Sequence, residues 1–77
     1  NQISAVSVST KRESSILTER EIELVKLADS GLTNKRIAKA QLITEATVKW
    51  HMHNIYEKLG VANRTAAAAR SRELKII

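Results

Sequence analysis

The stretch "TVKWHMHNIYEKLG", Thr47 to Gly60, holds the only Trp, the only Tyr and both His residues of the 77-residue chain. Metal binding is one chemistry such residues could support. On a helix His53 and Glu57, four apart, reach the same side, whereas His51 and His53 point to different sides. Two ligands without a third do not make a site, and the absence of Cys removes thiolate ligands. Catalysis is a second. There is no Gly-rich phosphate loop and no Ser, His and acid constellation, serine is abundant only in the opening segment, and a chain this short encloses no substrate. No catalytic residue, metal or cofactor is therefore expected. The third chemistry is base reading. The Lys49 ammonium donates to guanine O6 or N7 or to a phosphate, the Trp50 ring covers a thymine methyl or packs on sugar-phosphate, and His53 donates to a base or phosphate.

Those side chains act together only if the segment is a helix with its aliphatic residues turned away from them. Successive side chains about 100° apart place Val48, Met52, Ile55 and Leu59 on one arc, and Trp50 opposite it with Ala46, His53 and Glu57, with Lys49 on the flank. Exposing an indole is unfavourable unless a partner covers it. His51 lies nearer the core edge, where a neighbouring backbone group is expected to hold it.

Helix punctuation sets the rest. In "LTEREIELVKLADSGL" Thr18 and Glu21 form a capping box and Leu17 and Ile22 a hydrophobic staple. The first helix thus starts near Glu19, buries Ile22, Leu24, Val25, Leu27 and Ala28, and stops at Gly31, with Leu32 folding back on Leu27. Thr33 caps a second helix of about two turns, with Ile37 and Ala38 inward and Lys35, Arg36 and Lys39 outward. After the connector "LI", Thr44 caps the third helix, which runs to Leu59 and stops at Gly60. Asn63 caps a fourth over about residues 64 to 75, whose "AAAA" run gives a smooth surface for helix packing. The second and third helices, joined by a tight turn, make a helix-turn-helix. The fold class is all-α: a four-helix domain containing a helix-turn-helix, residues 17–77, behind a flexible, Ser-rich N-terminal linker, residues 1–16.

The formal charge of +5 and pI near 10 suggest a polyanionic partner. The distribution sharpens this. Acids outnumber bases over residues 19 to 29, whereas Lys35, Arg36, Lys39 and Lys49 face only Glu45 over residues 34 to 53. No apolar run approaches the roughly 18 residues of a membrane span and no signal-peptide pattern is present, so a soluble, cytoplasmic domain with no membrane partner is expected. The start at Asn1 fits a fragment of a longer protein.

The segments "LTEREIELVKLADSGLTNKRIA", "TVKWH" and "KLGVANR" resemble, in order and at matching intervals, the LuxR-type (GerE-type) bacterial DNA-binding domain over about residues 17 to 77. The resemblance implies the C-terminal effector domain of a transcription regulator that binds double-stranded DNA, with the third helix in the major groove and the fourth forming a homodimer contact. RNA polymerase is a second partner it allows. Carried over by position, base contacts fall on Lys49, Trp50 and His53, and phosphate contacts on Asn34, Lys35, Thr47, Lys58 and Arg64. Arg64 carries a second reading, a tie between the start of the fourth helix and the body of the domain. Arg36 stands where the family usually has an acid, which costs the second helix some capping and favours a phosphate there. Gln41 stands where an apolar residue is usual, so that either Leu42 takes over the packing or the turn shifts by one residue. Similar domains follow a phosphorylated receiver, a small-molecule sensor or a large ATP-binding module, and "NIYEKLGVANR" looks slightly more like the last group. Two rival readings are a sigma-factor region that reads a promoter element and a protein-interaction module anchored by Trp50.

Overall fold

The computed structural model describes residues 16–77, so most of the expected linker lies outside the described residues. It contains four helices: α1 Glu19–Asp29, α2 Asn34–Gln41, α3 Glu45–Leu59 and α4 Arg64–Glu73, with no strand among the described residues. Each helix begins at a side-chain cap. Thr18, Thr33, Thr44 and Asn63 accept from the backbone N–H three residues on, at 3.1, 3.2, 3.1 and 2.8 Å. At α1 the Glu21 carboxylate returns the bond to the Thr18 N–H at 2.9 Å, completing the expected capping box.

The helix ends share one solution. A residue of positive φ, Gly31, Leu42, Gly60 or Lys75, closes each helix. The next residue, Leu32, Ile43, Val61 or Ile76, then donates its N–H to the carbonyl five residues back, that of Leu27, Ala38, Tyr56 or Ser71. This is the Schellman motif, and it turns the apolar residue after the left-handed one inward. Leu32 and Ile43 each also precede the next N-cap, in the position of a hydrophobic staple, so one apolar side chain both ends a helix and aims its successor.

Leu17, Ile22, Leu24, Val25, Ile37, Ala38, Val48, Met52, Ile55, Leu59 and Ala67 make one continuous core. The central element is α1, which packs on α4 and α3, while α2 packs chiefly on α3. An eight-residue helix such as α2 is marginal alone in water and holds here through Ile37 and Ala38.

Two expectations need correction. Leu42 does not take over the packing in the turn between α2 and α3: it is 91% exposed, and Ile43 packs on the core in its place. Residue 42 is the left-handed closing residue of α2, and that geometry directs its side chain to solvent. Gln41 is half-buried, and its Oε1 accepts from Arg20 Nη1 at 2.8 Å, a polar bridge from α1 where an apolar contact is usual. The fourth helix also ends earlier, at Glu73, because Lys75 takes the left-handed conformation.

Candidate nucleic-acid interface

The face of α3 follows from its apolar spacing. Val48, Met52, Ile55 and Leu59 are buried, while Ala46, Lys49, Trp50, His53 and Glu57 are exposed. Trp50 is 62% exposed. Its ring is braced from one side by His51, with centroids 5.1 Å apart and planes at 65°, an edge-to-face contact. His51 therefore meets the indole and not the backbone group expected from the sequence. Beyond Trp50 along the helix, His53 Nε2 lies 3.3 Å from Glu57 Oε2, both on the surface.

The cations divide by what they already hold. Lys58 Nζ pairs with Glu21 Oε1 at 2.8 Å, joining α3 to α1, and Arg72 Nη1 pairs with Asp29 Oδ1 at 2.7 Å, joining α4 to α1. Arg64 donates to the Leu32 carbonyl and, at 3.5 Å, to Asn34 Oδ1, so the structural tie foreseen for Arg64 is present and it engages Asn34 too. Arg20 holds Gln41, and Arg70 holds Glu73. By contrast, among the described residues Lys35, Arg36 and Lys39 on α2 and Lys49 on α3 have no acidic partner, and all four are exposed. Lys26 and Lys75 are likewise unpaired but lie on other elements. The unpaired positive charge thus concentrates on the two helices of the helix-turn-helix.

Glu21 is the buried acid behind this surface, 5% exposed. Burial pushes its pKa up, but the Lys58 hydrogen bond, the Thr18 N–H and Lys58's charge outweigh this and hold it below the ordinary 4.5. Together with Thr18, Trp50, His51, Asn54, Glu57 and Lys58 it lines an open groove between the start of α1 and α3. Thr47, half-buried in the first turn of α3, lies with its Oγ1 2.9 Å from that of Thr44.

Of the residues singled out from the sequence, Lys49, Trp50 and His53 share the exposed side of α3, and Lys35 and Arg36 are free on α2. Asn34, Lys58 and Arg64 are already engaged within the domain. Sequence reasoning missed the Lys58–Glu21 and Arg72–Asp29 pairs, which span 37 and 43 residues. It also missed Lys39 as part of the unpaired cluster, although its outward position was legible.

Fold and surface together define a helix-turn-helix domain of the nucleic-acid-reading class, with a solvent-facing aromatic and basic third helix. The chain belongs to the luxR family of bacterial regulatory proteins, whose family model matches residues 15–71. It is 48% identical over 58 residues to the HTH-type transcriptional regulator AlkS of Alcanivorax borkumensis, covering 75% of this chain and 7% of that protein. It is 54% identical over 55 residues to the transcriptional regulatory protein LnrK of Bacillus subtilis, covering 71% of this chain and 25% of LnrK. A solved structure, the response regulator ChrA of a heme-sensing two-component system, superimposes with a TM-score of 0.78 at 48% identity, over 79% of this chain and 30% of that one. The chain thus spans a quarter or less of the length of these two curated relatives.

Proposed function

We propose that this domain binds double-stranded DNA sequence-specifically as part of a bacterial transcription regulator, laying α3 in the major groove with its N-terminal turns leading. One observation carries the reading. The chain's only Trp stands 62% exposed on α3, flanked by Lys49 and His53 and backed by the unpaired cations of α2. Burying the indole against a base edge or sugar-phosphate offsets a cost that folding alone leaves in place. The transcription regulators among its relatives support the same conclusion.

Lys49, Trp50 and His53 make the base contacts, and Lys35, Arg36 and Thr47 contact phosphates. Asn34, Lys58 and Arg64 reach phosphates only if they keep or exchange their internal bonds, so they rank behind the first set. A homodimer forms on a two-part site through α4, where Ala67 and Ala68 turn inward and Thr65 and Ala69 stay exposed. RNA polymerase is a further partner, and the cytoplasm is the compartment where such work is done.

The test is a gel-shift titration against a duplex selected by the domain from a randomised pool. Lys49→Ala and Trp50→Ala each weaken binding by about 1 to 3 kcal/mol, and affinity falls as salt rises because released counterions drive association. Unchanged affinity in both variants, with helicity intact by circular dichroism, would overturn the assignment.

A further inference from the structure

The outer face of α3 changes character along its length. Its first half presents Ala46, Lys49 and Trp50, and its second half presents His53, Glu57 and Lys58, of which Lys58 is already paired with Glu21. At about 100° and 1.5 Å per residue, Glu57 lies within about 20° of Trp50 around the axis and about 10 Å further along it. A helix placed with Trp50 toward DNA therefore carries a carboxylate toward the same polyanion, which bears one charge per about 1.7 Å.

Among the described residues no Lys or Arg pairs with that carboxylate. Glu21, Asp29 and Glu73 each have a Lys or Arg within 2.9 Å. The partner of Glu57 is the His53 imidazole at 3.3 Å, and the nearest cation in sequence, Lys58, is held by Glu21. The other acid of α3, Glu45, sits about 140° round from Trp50, in the first turn, where the helix dipole favours a negative charge.

We propose that Glu57 is an electrostatic stop, which holds the last turns of α3 off the phosphates and confines groove contact to the turns up to His53. The inference rests on the DNA reading above. In an operator complex the base contacts of the leading turns fix a tilt in which those turns enter deepest, so that Glu57, about 10 Å further along the helix, is lifted from the backbone. On random DNA no such contacts fix the tilt, so many approaches bring the second half of α3 against phosphate, and each is opposed. Glu57 therefore lowers random binding more than operator binding, discriminating by repulsion.

Fluorescence anisotropy titrations with a random-sequence duplex and with the pool-selected duplex test this, on wild type, Glu57→Gln, Glu57→Lys and Glu23→Gln. Glu23 is an exposed acid on α1, so its variant makes the same net-charge change away from α3. Because Glu57 is exposed, its variants keep the fold, which circular dichroism verifies. At low salt Glu57→Gln raises affinity for the random duplex about three- to tenfold and for the selected duplex by less than half of that, and physiological salt shrinks both gains. Glu57→Lys goes further and steepens the salt dependence by about one counterion. Glu23→Gln, on another helix, gives a smaller gain than Glu57→Gln, and at physiological ionic strength, where the Debye length is about 8 Å, it changes either affinity less than about twofold. An unchanged random-duplex affinity in Glu57→Gln, an equal gain on both duplexes, or an equal gain in Glu23→Gln would each overturn the stop. Wild type that binds no duplex at low salt would overturn the DNA reading itself.

Discussion

Replacing Leu42 by Gly should stabilise the domain, although it deletes a large apolar side chain. Leu42 has φ of 58° and is 91% exposed, so its side chain adds almost nothing to the core. A left-handed conformation costs a residue with a Cβ about 1 to 2 kcal/mol. Glycine removes that cost but gains freedom in the unfolded chain, which returns about 0.4 to 1 kcal/mol. The net gain is about 0.5 kcal/mol or somewhat more, which for a domain of this size raises Tm by about 2 to 6 °C. Gly60→Ala is the reciprocal experiment. Its φ is 69° and a Cβ there meets nothing within 4 Å, so the loss of about 0.5 to 1 kcal/mol is purely conformational. Thermal and urea unfolding of both variants, monitored by circular dichroism, measure the pair. A Leu42→Gly protein that melts below wild type would show that the leucine makes a stabilising contact, and the account of this turn would fail.

Ser71, fully buried and with no hydrogen-bond partner for its Oγ among the described residues, should tolerate Ser71→Ala with no loss of stability and a gain of up to about 1 kcal/mol, read from the urea midpoint. Glu21 has a lowered pKa, so its contribution is complete above the ordinary value of 4.5 and is lost as pH falls through the lower folded value. Stability should therefore decline on acidification below about pH 4.5, and Glu21→Gln, which keeps an acceptor for the Thr18 N–H, should flatten that part of the urea-unfolding profile. Arg64→Ala frees the Leu32 carbonyl and Asn34. It should cost about 1 to 3 kcal/mol of stability while leaving the salt slope of DNA binding unchanged, whereas a slope reduced by about one would mark Arg64 as a phosphate contact.

The helices were legible because each signal in them is local. Thr18 with Glu21, Thr33, Thr44 and Asn63 mark the starts within four residues, and the Val48, Met52, Ile55, Leu59 spacing orients α3 without knowledge of its neighbours. The exposed Trp50 followed from that arc. What escaped depends on partners distant in the chain or on an unusual residue in a usual place. Leucine at 42 reads as a packing residue by type, and only the backbone bonds from Leu42 and Ile43 to Lys39 and Ala38 show that the position itself faces solvent. Lys75 hid the end of α4 in the same way, since a lysine does not advertise a left-handed turn as Gly31 and Gly60 do. The ties of Lys58, Arg64 and Arg72 connect elements 30 or more residues apart, and no local pattern selects one acid or acceptor over another.

Those ties also limit how far net charge can be read as function. A formal charge of +5 counts every lysine and arginine alike, yet Arg20, Lys58, Arg64 and Arg72 serve to fasten α1, α2, α3 and α4 to one another. A phosphate that drew Lys58 away from Glu21 would leave a buried carboxylate without its cation, an expensive exchange inside a protein. Lys35, Arg36, Lys39 and Lys49 face no such penalty. They can meet a polyanion at the cost of side-chain order alone, and for Arg36 and Lys35 a phosphate would also replace the acid that the first turn of α2 lacks. On the proposed DNA reading, the acid at the far end of α3 then limits what the free cations achieve: attraction is concentrated beside Lys49 and Trp50 and opposed beside Glu57.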